Sequence, residues 1–169
     1  MEYKGKIFRV SQGTVILKEE ETKKEMYKLL DGHAEVYLGY GTEKETLLGI
    51  IGPQACFGEM GALLGSPSLH TVVAYSDCLV MCITQSEMVD FIRHDGKAVL
   101  KIMQSMAQTM TLLNLNIGML MDDLKNGKKP DENRVHEMEK TASEFAVYRN
   151  SAMSGKFWTA DNVAKRRGR

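Results

Sequence analysis

Phe57-Gly58-Glu59-Met60-Gly61-Ala62-Leu63-Leu64-Gly65-Ser66-Pro67-Ser68-Leu69-His70-Thr71 is the stretch on which the reading of this chain turns. A glycine and a carboxylate lead into a short apolar turn over 60–64. A Gly-Ser-Pro-Ser break follows, and then a β-rich run begins. Gly58 permits backbone angles and close approaches that a side chain resists. A carboxylate such as Glu59 accepts a hydrogen bond from a sugar hydroxyl, and backbone N–H groups at a helix start favour an anion. That order suits a small pocket for a sugar-phosphate. An arginine usually completes such a pocket, because its fork binds two phosphate oxygens; the stretch contains none.

Outward from this segment, Ile7 to about Thr84 divides into short strands punctuated by glycines. Thr14-Val15-Ile16-Leu17 and Met26-Tyr27-Lys28-Leu29-Leu30 precede an Asp31-Gly32 turn. Ala34-Glu35-Val36-Tyr37-Leu38 alternates apolar and polar, Gly39 and Gly41 end it, and Thr46-Leu47-Leu48-Gly49-Ile50-Ile51 follows. His70-Thr71-Val72-Val73-Ala74-Tyr75 and Cys78-Leu79-Val80-Met81-Cys82-Ile83 flank a Ser76-Asp77 turn. Strands this short and this closely spaced predict an all-β sandwich, roll or barrel.

At Thr84 the period changes. Thr84 with Glu87 fits a capping box and predicts a helix to about Ile92, broken by Asp95-Gly96. A long helix is then expected from about Lys97 to Leu124. Its apolar positions Val99, Met103, Met106, Met110, Leu113, Ile117, Leu120 and Leu124 step by four and three in turn, a heptad seam. Asn126-Gly127 supplies the stop. Beyond it, Val135, Met138, Ala142 and Phe145 fit one face of another helix. Only a Phe157-Trp158 pair and the basic end Lys165-Arg166-Arg167-Gly168-Arg169 follow Asn150.

Composition sets further bounds. The 169 residues fit one domain with an appendage. Lysine plus arginine number 22 and aspartate plus glutamate 22, so no global charge points to nucleic acid or membrane. Residues 125–169 carry 11 basic and 6 acidic side chains, whereas residues 1–124 carry 11 basic and 16 acidic. Three cysteines, Cys56, Cys78 and Cys82, form no CxxC pair, and an odd count argues against a disulfide scaffold. Cys78 and Cys82 share a strand face and read as buried apolar fillers. No signal-like core or membrane-length apolar run is present, so a reducing cytoplasm is expected. The histidines His33, His70, His94 and His136 form no HxH or HxxxH pair. No GxSxG, P-loop or paired-carboxylate motif appears either. No enzyme is expected.

Phe57-Gly58-Glu59, Leu63-Leu64, Pro67 and Thr71-Val72-Val73-Ala74, at this spacing, resemble the phosphate-binding cassette of cyclic nucleotide-binding domains. The strands before the cassette look like that family's β-roll, and Thr84–Leu124 looks like its closing helices. The resemblance covers roughly residues 10–124 and includes the sensor domain of catabolite-activator-type regulators. It implies a mainly β fold with C-terminal α: a double-stranded β-roll, or jelly roll, followed by a short helix and a long dimerisation helix. The implied division is 1–96 for the roll with its short helix, 97–126 for the long helix and 127–169 for a basic helical or flexible tail. The implied ligand-binding set is Phe57, Gly58, Glu59, Met60, Gly61, Ser68, Leu69, His70, Thr71 and Asn114. The last of these lies, with Leu113, near the base-reading positions of bacterial cAMP regulators. The implied dimer interface is Met103, Met106, Met110, Leu113, Ile117, Leu120 and Leu124.

The match breaks at Ser68, where the family's binders carry the phosphate arginine; this chain reads Ser68-Leu69-His70-Thr71. Loss of a charge-assisted hydrogen bond costs about 1.5–3 kcal/mol, roughly ten- to a hundredfold in affinity. Ser68 offers one hydrogen bond, and an inward His70 would offer part of a charge. Leu69 is bulkier than the residue expected there. The expected function is therefore a cyclic nucleotide-binding-like sensor and regulatory domain in signal transduction, with the cAMP, cGMP or other small anionic ligand weakly bound, altered or lost.

Three plainer readings stand beside it. Glu59 can be a structural carboxylate, the heptad face can cover the chain's own roll, and the whole can be a ligand-free dimerisation scaffold with a protein partner. A homodimer through the long helix is expected, and no membrane. A transcription regulator touching DNA through the basic tail is a further alternative. The family's helix-turn-helix domain needs roughly 60 residues and an apolar three-helix pattern, whereas 45 residues follow Leu124.

Overall fold

The computed structural model describes residues 5–127. The expectations for the tail, including its helix, the Phe157-Trp158 pair and the basic end, lie outside the described residues.

Eight strands form two antiparallel four-stranded sheets. The strands are β1 (Lys6–Val10), β2 (Val15–Leu17), β3 (Glu25–Asp31), β4 (Ala34–Leu38), β5 (Thr46–Ile51), β6 (Cys56–Phe57), β7 (Thr71–Ala74) and β8 (Cys78–Thr84). One sheet runs β1-β8-β3-β6 and the other β2-β7-β4-β5. The fold is mainly β with C-terminal α. The apolar residues of the two inner faces meet in a core that includes Leu17, Leu29, Val36, Ile51, Phe57, Val72 and Val80. Tyr27 lies there between two rings, stacked on Phe57 at a centroid distance of 5.4 Å and edge-on to Phe8 at 6.4 Å. Cys78 and Cys82 are both buried in the same core.

Each strand named from the sequence appears, within one or two residues of its expected bounds. Two others carried no readable pattern. β6 has only two residues, too few to show a period; it exists because it pairs Tyr27 with Phe57 and Lys28 with Cys56. β1 is a sheet edge, and its outer positions are exposed.

The helical half follows the same logic. The Thr84 amide donates to the Glu87 carboxylate at 2.9 Å, and the Thr84 hydroxyl does so at 2.6 Å. One 3-10 turn over Gln85–Glu87 leads into α2 (Met88–His94). The helix therefore runs two residues beyond the expected Ile92, and His94 bonds the Asp90 carbonyl through Nδ1 at 2.7 Å. Asp95 ends α2 and starts α3 (Gly96–Lys125), its carboxylate accepting the Ala98 amide at 3.1 Å. Phe91 and Met88 of α2 and Ala98 of α3 pack with Met26, Cys56 and Ile83 of the roll in a second core. Val99 and Ile102 pack on its edge, and beyond them Met106, Met110 and Leu113 of α3 face the roll across a cavity. The reading in which the heptad face covers the chain's own roll thus applies in part: Val99 packs on the roll, and Met106, Met110 and Leu113 face it across the cavity while staying partly exposed. Met103, Met110, Ile117 and Leu124 are at least 57% exposed.

Candidate functional site

The cassette is built by close approach of backbones. Residues Glu59–Leu64 form α1, which starts at Glu59, one residue before the expected turn. Gly58 enters it with φ of 80°, a left-handed conformation that a Cβ would strain. Gly61 packs against the chain leading into β3: a Cβ there would lie 2.0 Å from the Lys23 carbonyl oxygen. The segment preceding β7 is zipped to the loop between β2 and β3. The Glu20 amide donates to the Ser68 carbonyl at 2.8 Å, and the Ser68 amide to the Glu21 carbonyl at 3.0 Å. The Glu19 amide donates to the Thr71 hydroxyl at 3.0 Å.

These contacts leave a cavity of about 330 Å3 between cassette, roll and α3. Of the residues singled out in the sequence, Phe57, Gly58, Glu59, Met60, Gly61, Ser68, Leu69 and His70 line it. Thr71 does not; it is 2% exposed, and its hydroxyl fastens the neighbouring loop. Asn114 is not part of the lining either, whereas Leu113, with Met106 and Met110 from the same helix, is. Leu69 does not plug the space: it stays 60% exposed.

Two expectations about polar groups change. The Ser68 hydroxyl donates to the His70 carbonyl at 2.7 Å and accepts the His70 amide at 3.3 Å, so its hydrogen bonding is used within its own turn. Burial pushes the His70 imidazole down to about 4, so the side chain is neutral near pH 7 and supplies no charge. The sign of the resulting pH dependence follows by linkage. Between about pH 4 and the ordinary histidine value near 6.5, the unfolded chain binds the proton and the folded chain does not. The His70 contribution to stability is thus full above about 6.5 and lost as pH falls toward 4. Melting curves from pH 4 to 7 should show a slope that His70→Gln flattens; an unchanged slope would refute the assignment.

Several lining residues carried no signal in the sequence. Glu21 and Lys23 belong to the charged run Lys18–Lys24, to which the sequence pattern assigns no role, yet both line the cavity. The Lys23 ammonium lies 3.3 Å from the Glu21 carboxylate. Glu25 also lines the cavity, where it accepts a hydrogen bond from the Tyr27 hydroxyl at 2.8 Å. Burial, reinforced by Glu25, pushes the Tyr27 hydroxyl well above its usual range. Burial likewise raises the Cys56 thiol to about 12 and the Cys82 thiol to about 11, so both stay protonated near neutral pH. Among the described residues, no group of three or more His, Cys, Asp and Glu is arranged to hold a metal ion, and no helix is long and apolar enough to cross a membrane.

The roll, the cassette turn and the α3 side chains facing them enclose the candidate site. The profile of the cyclic nucleotide-binding domain matches residues 7–95, just over half of the chain. The chain belongs to the cyclic nucleotide-binding domain family, whose members are generally regulatory. No curated protein matches the chain.

Among solved structures, it is similar to the catabolite activator protein of Thermus thermophilus, with TM-score 0.59 and 18% identity over 89% of this chain and 79% of that one. It is also similar to a transcriptional regulator from Thermotoga maritima, with TM-score 0.57 and 15% identity over 69% and 91% of the two chains. A third is a protein of a cyclic-GMP-dependent signalling pathway that regulates bacterial phytopathogenesis, with TM-score 0.51 and 17% identity over 63% and 85%. At these identities the likeness is one of fold.

Proposed function

We propose that this chain is the sensor part of a cytoplasmic regulator, not an enzyme: a small molecule enters the cavity under the cassette, and the occupied state is passed on through α3 at a homodimer interface. The observation that carries the reading is the double placement of Met106, Met110 and Leu113. They line the cavity, and they are members of the heptad seam. They are also 40%, 67% and 47% exposed. A molecule touching them acts on the same side chains that a second helix would cover. Such coupling needs a ligand with different affinity for two helix arrangements.

The cassette keeps the turn, the carboxylate and the glycines of the family but has no arginine at position 68. Affinity for cAMP and cGMP is therefore weak, altered or lost. The cavity lies at the lower end of the about 300–1,000 Å3 usual for ligand pockets.

Thermal melting of the full chain against a metabolite panel that includes cAMP and cGMP tests the sensor reading. A ligand at a hundred times its dissociation constant adds about 2.7 kcal/mol, or roughly 5–10 °C for a chain of this size. Val72→Phe, which fills the cavity from the roll side, should remove the shift. A panel with no active member would leave the second reading, a ligand-free dimerisation scaffold with a protein partner, which the exposed seam also supports. Under either reading Met110→Glu with Ile117→Glu should convert a dimer to a monomer in sedimentation, since like charges would face each other across the seam. A variant that sediments like the parent would remove α3 as the interface.

A further inference from the structure

We propose that the cavity takes an uncharged nucleoside, a flat ring bearing a hydroxyl-rich sugar, and discriminates against its cyclic phosphate; the proposal rests on the reading that this cavity is a ligand site. Three carboxylates line the space, Glu21, Glu25 and Glu59, and one ammonium, Lys23. With three negative groups and one positive, the lining has a balance of −2. The single cation is moreover held by Glu21 at 3.3 Å. His70 adds no charge near neutral pH, and the Ser68 hydroxyl is spent on the His70 carbonyl. A phosphate monoanion entering here leaves water for a site where negative groups outnumber the positive one, and like charges at close range are repelled.

Hydroxyl donors meet the opposite situation. An ionised carboxylate only accepts hydrogen bonds and has about four lone-pair positions. Glu25 receives the Tyr27 hydroxyl on one oxygen and still has acceptor capacity. The ring has its own place. Val36, Ile51 and Val72 present aliphatic surface from the roll, and Met106, Met110 and Leu113 present theirs from α3. Two apolar walls suit a flat ring, and methionine sulfur makes favourable contacts with aromatic rings.

Calorimetric titration of the full chain with adenosine, guanosine, cAMP and cGMP, in one buffer at one salt concentration, tests this. At least one nucleoside should bind about tenfold or more tightly than its cyclic phosphate. A cyclic nucleotide that binds as tightly as its nucleoside overturns the proposal and leaves the cavity standing as a ligand site. If none of the four binds, the nucleoside proposal falls; the metabolite panel then decides separately whether the ligand-site reading falls with it. Glu21→Gln releases Lys23 and should shrink the preference for nucleoside over cyclic nucleotide by about threefold or more. An unchanged preference in a folded Glu21→Gln protein overturns the electrostatic basis. If that variant does not fold, the comparison on the parent chain still decides.

Discussion

Gly61→Ala should lower the melting temperature by roughly 5–15 °C, the cost of about 2–4 kcal/mol for forcing a methyl group into backbone. The added Cβ would lie 2.0 Å from the Lys23 carbonyl oxygen and 3.2 Å from the carbon that carries it. The obstacle is main chain and not the free end of a side chain, so it cannot swing aside. Either α1 lifts off the β3 side of the roll or the chain entering β3 moves, and both elements line the cavity. The loss of stability should therefore come with loss of any ligand response. Gly118→Ala is the matched control. Gly118 is exposed in mid-helix, and a methyl group added there would meet nothing within 4 Å, so the same change should stabilise α3 by up to about 1 kcal/mol. Equal melting temperatures for the two variants would refute the close-packed cassette.

Asp95→Ala should cost about 2–4 kcal/mol, because it removes two restraints at the point where α3 starts against the roll. Lys28 is 8% exposed on β3, and its ammonium is paired with the Asp95 carboxylate. The other oxygen of Asp95 accepts the Ala98 amide and caps α3. Removing Asp95 leaves a buried ammonium without its counterion, and the helix start without its cap. The Asp95 side chain is itself 30% exposed, so water screens part of the pair and the upper figure for a fully buried pair does not apply.

Lys28→Met combined with Asp95→Ala should recover the part of the loss due to the unpaired ammonium, since replacing both members of a buried pair is often neutral, and leave the part due to the lost cap. Equal losses in the single and double variants, measured by denaturant titration, would rule out the coupling. The pH dependence has the opposite origin to that of His70. Burial works against ionisation of Asp95, but the Lys28 hydrogen bond, the Ala98 amide and the nearby Lys28 and Lys101 charges outweigh it and hold the carboxyl below its ordinary range. The pair's contribution is complete above the ordinary carboxylate value near 4 and is lost as pH drops below it.

Local chemistry made most of the fold legible. β4 and β5 fall on the residues their patterning indicates, Ala34–Leu38 and Thr46–Ile51, because glycines and turns bound them on both sides. Thr84 and Glu87 announce their helix start four residues before α2 begins, because both halves of the capping interaction lie within one turn. Gly58 is legible for the same reason, being dictated by the angle of its own backbone, whereas Gly61 is required by the Lys23 carbonyl of a distant segment. The site was legible only where its residues are neighbours in sequence. Glu21 and Lys23 enter the cavity from the loop between β2 and β3, and Glu25 from the start of β3, about forty residues upstream of the cassette, the loop being held by the Glu20–Ser68 and Ser68–Glu21 backbone bonds. A charged run reads the same whether it faces solvent or a cavity.

What the sequence determined by itself is therefore everything whose cause is local: strand and helix periods, caps, turn glycines, and the absence of an arginine from position 68. Charge in the cavity, the neutral state of His70, the engagement of Ser68 and the replacement of Asn114 by Leu113 at the lining were decided by tertiary structure. Each depends on which atoms from distant segments come within a few ångströms, and electrostatic and desolvation energies are set by those distances and not by order along the chain.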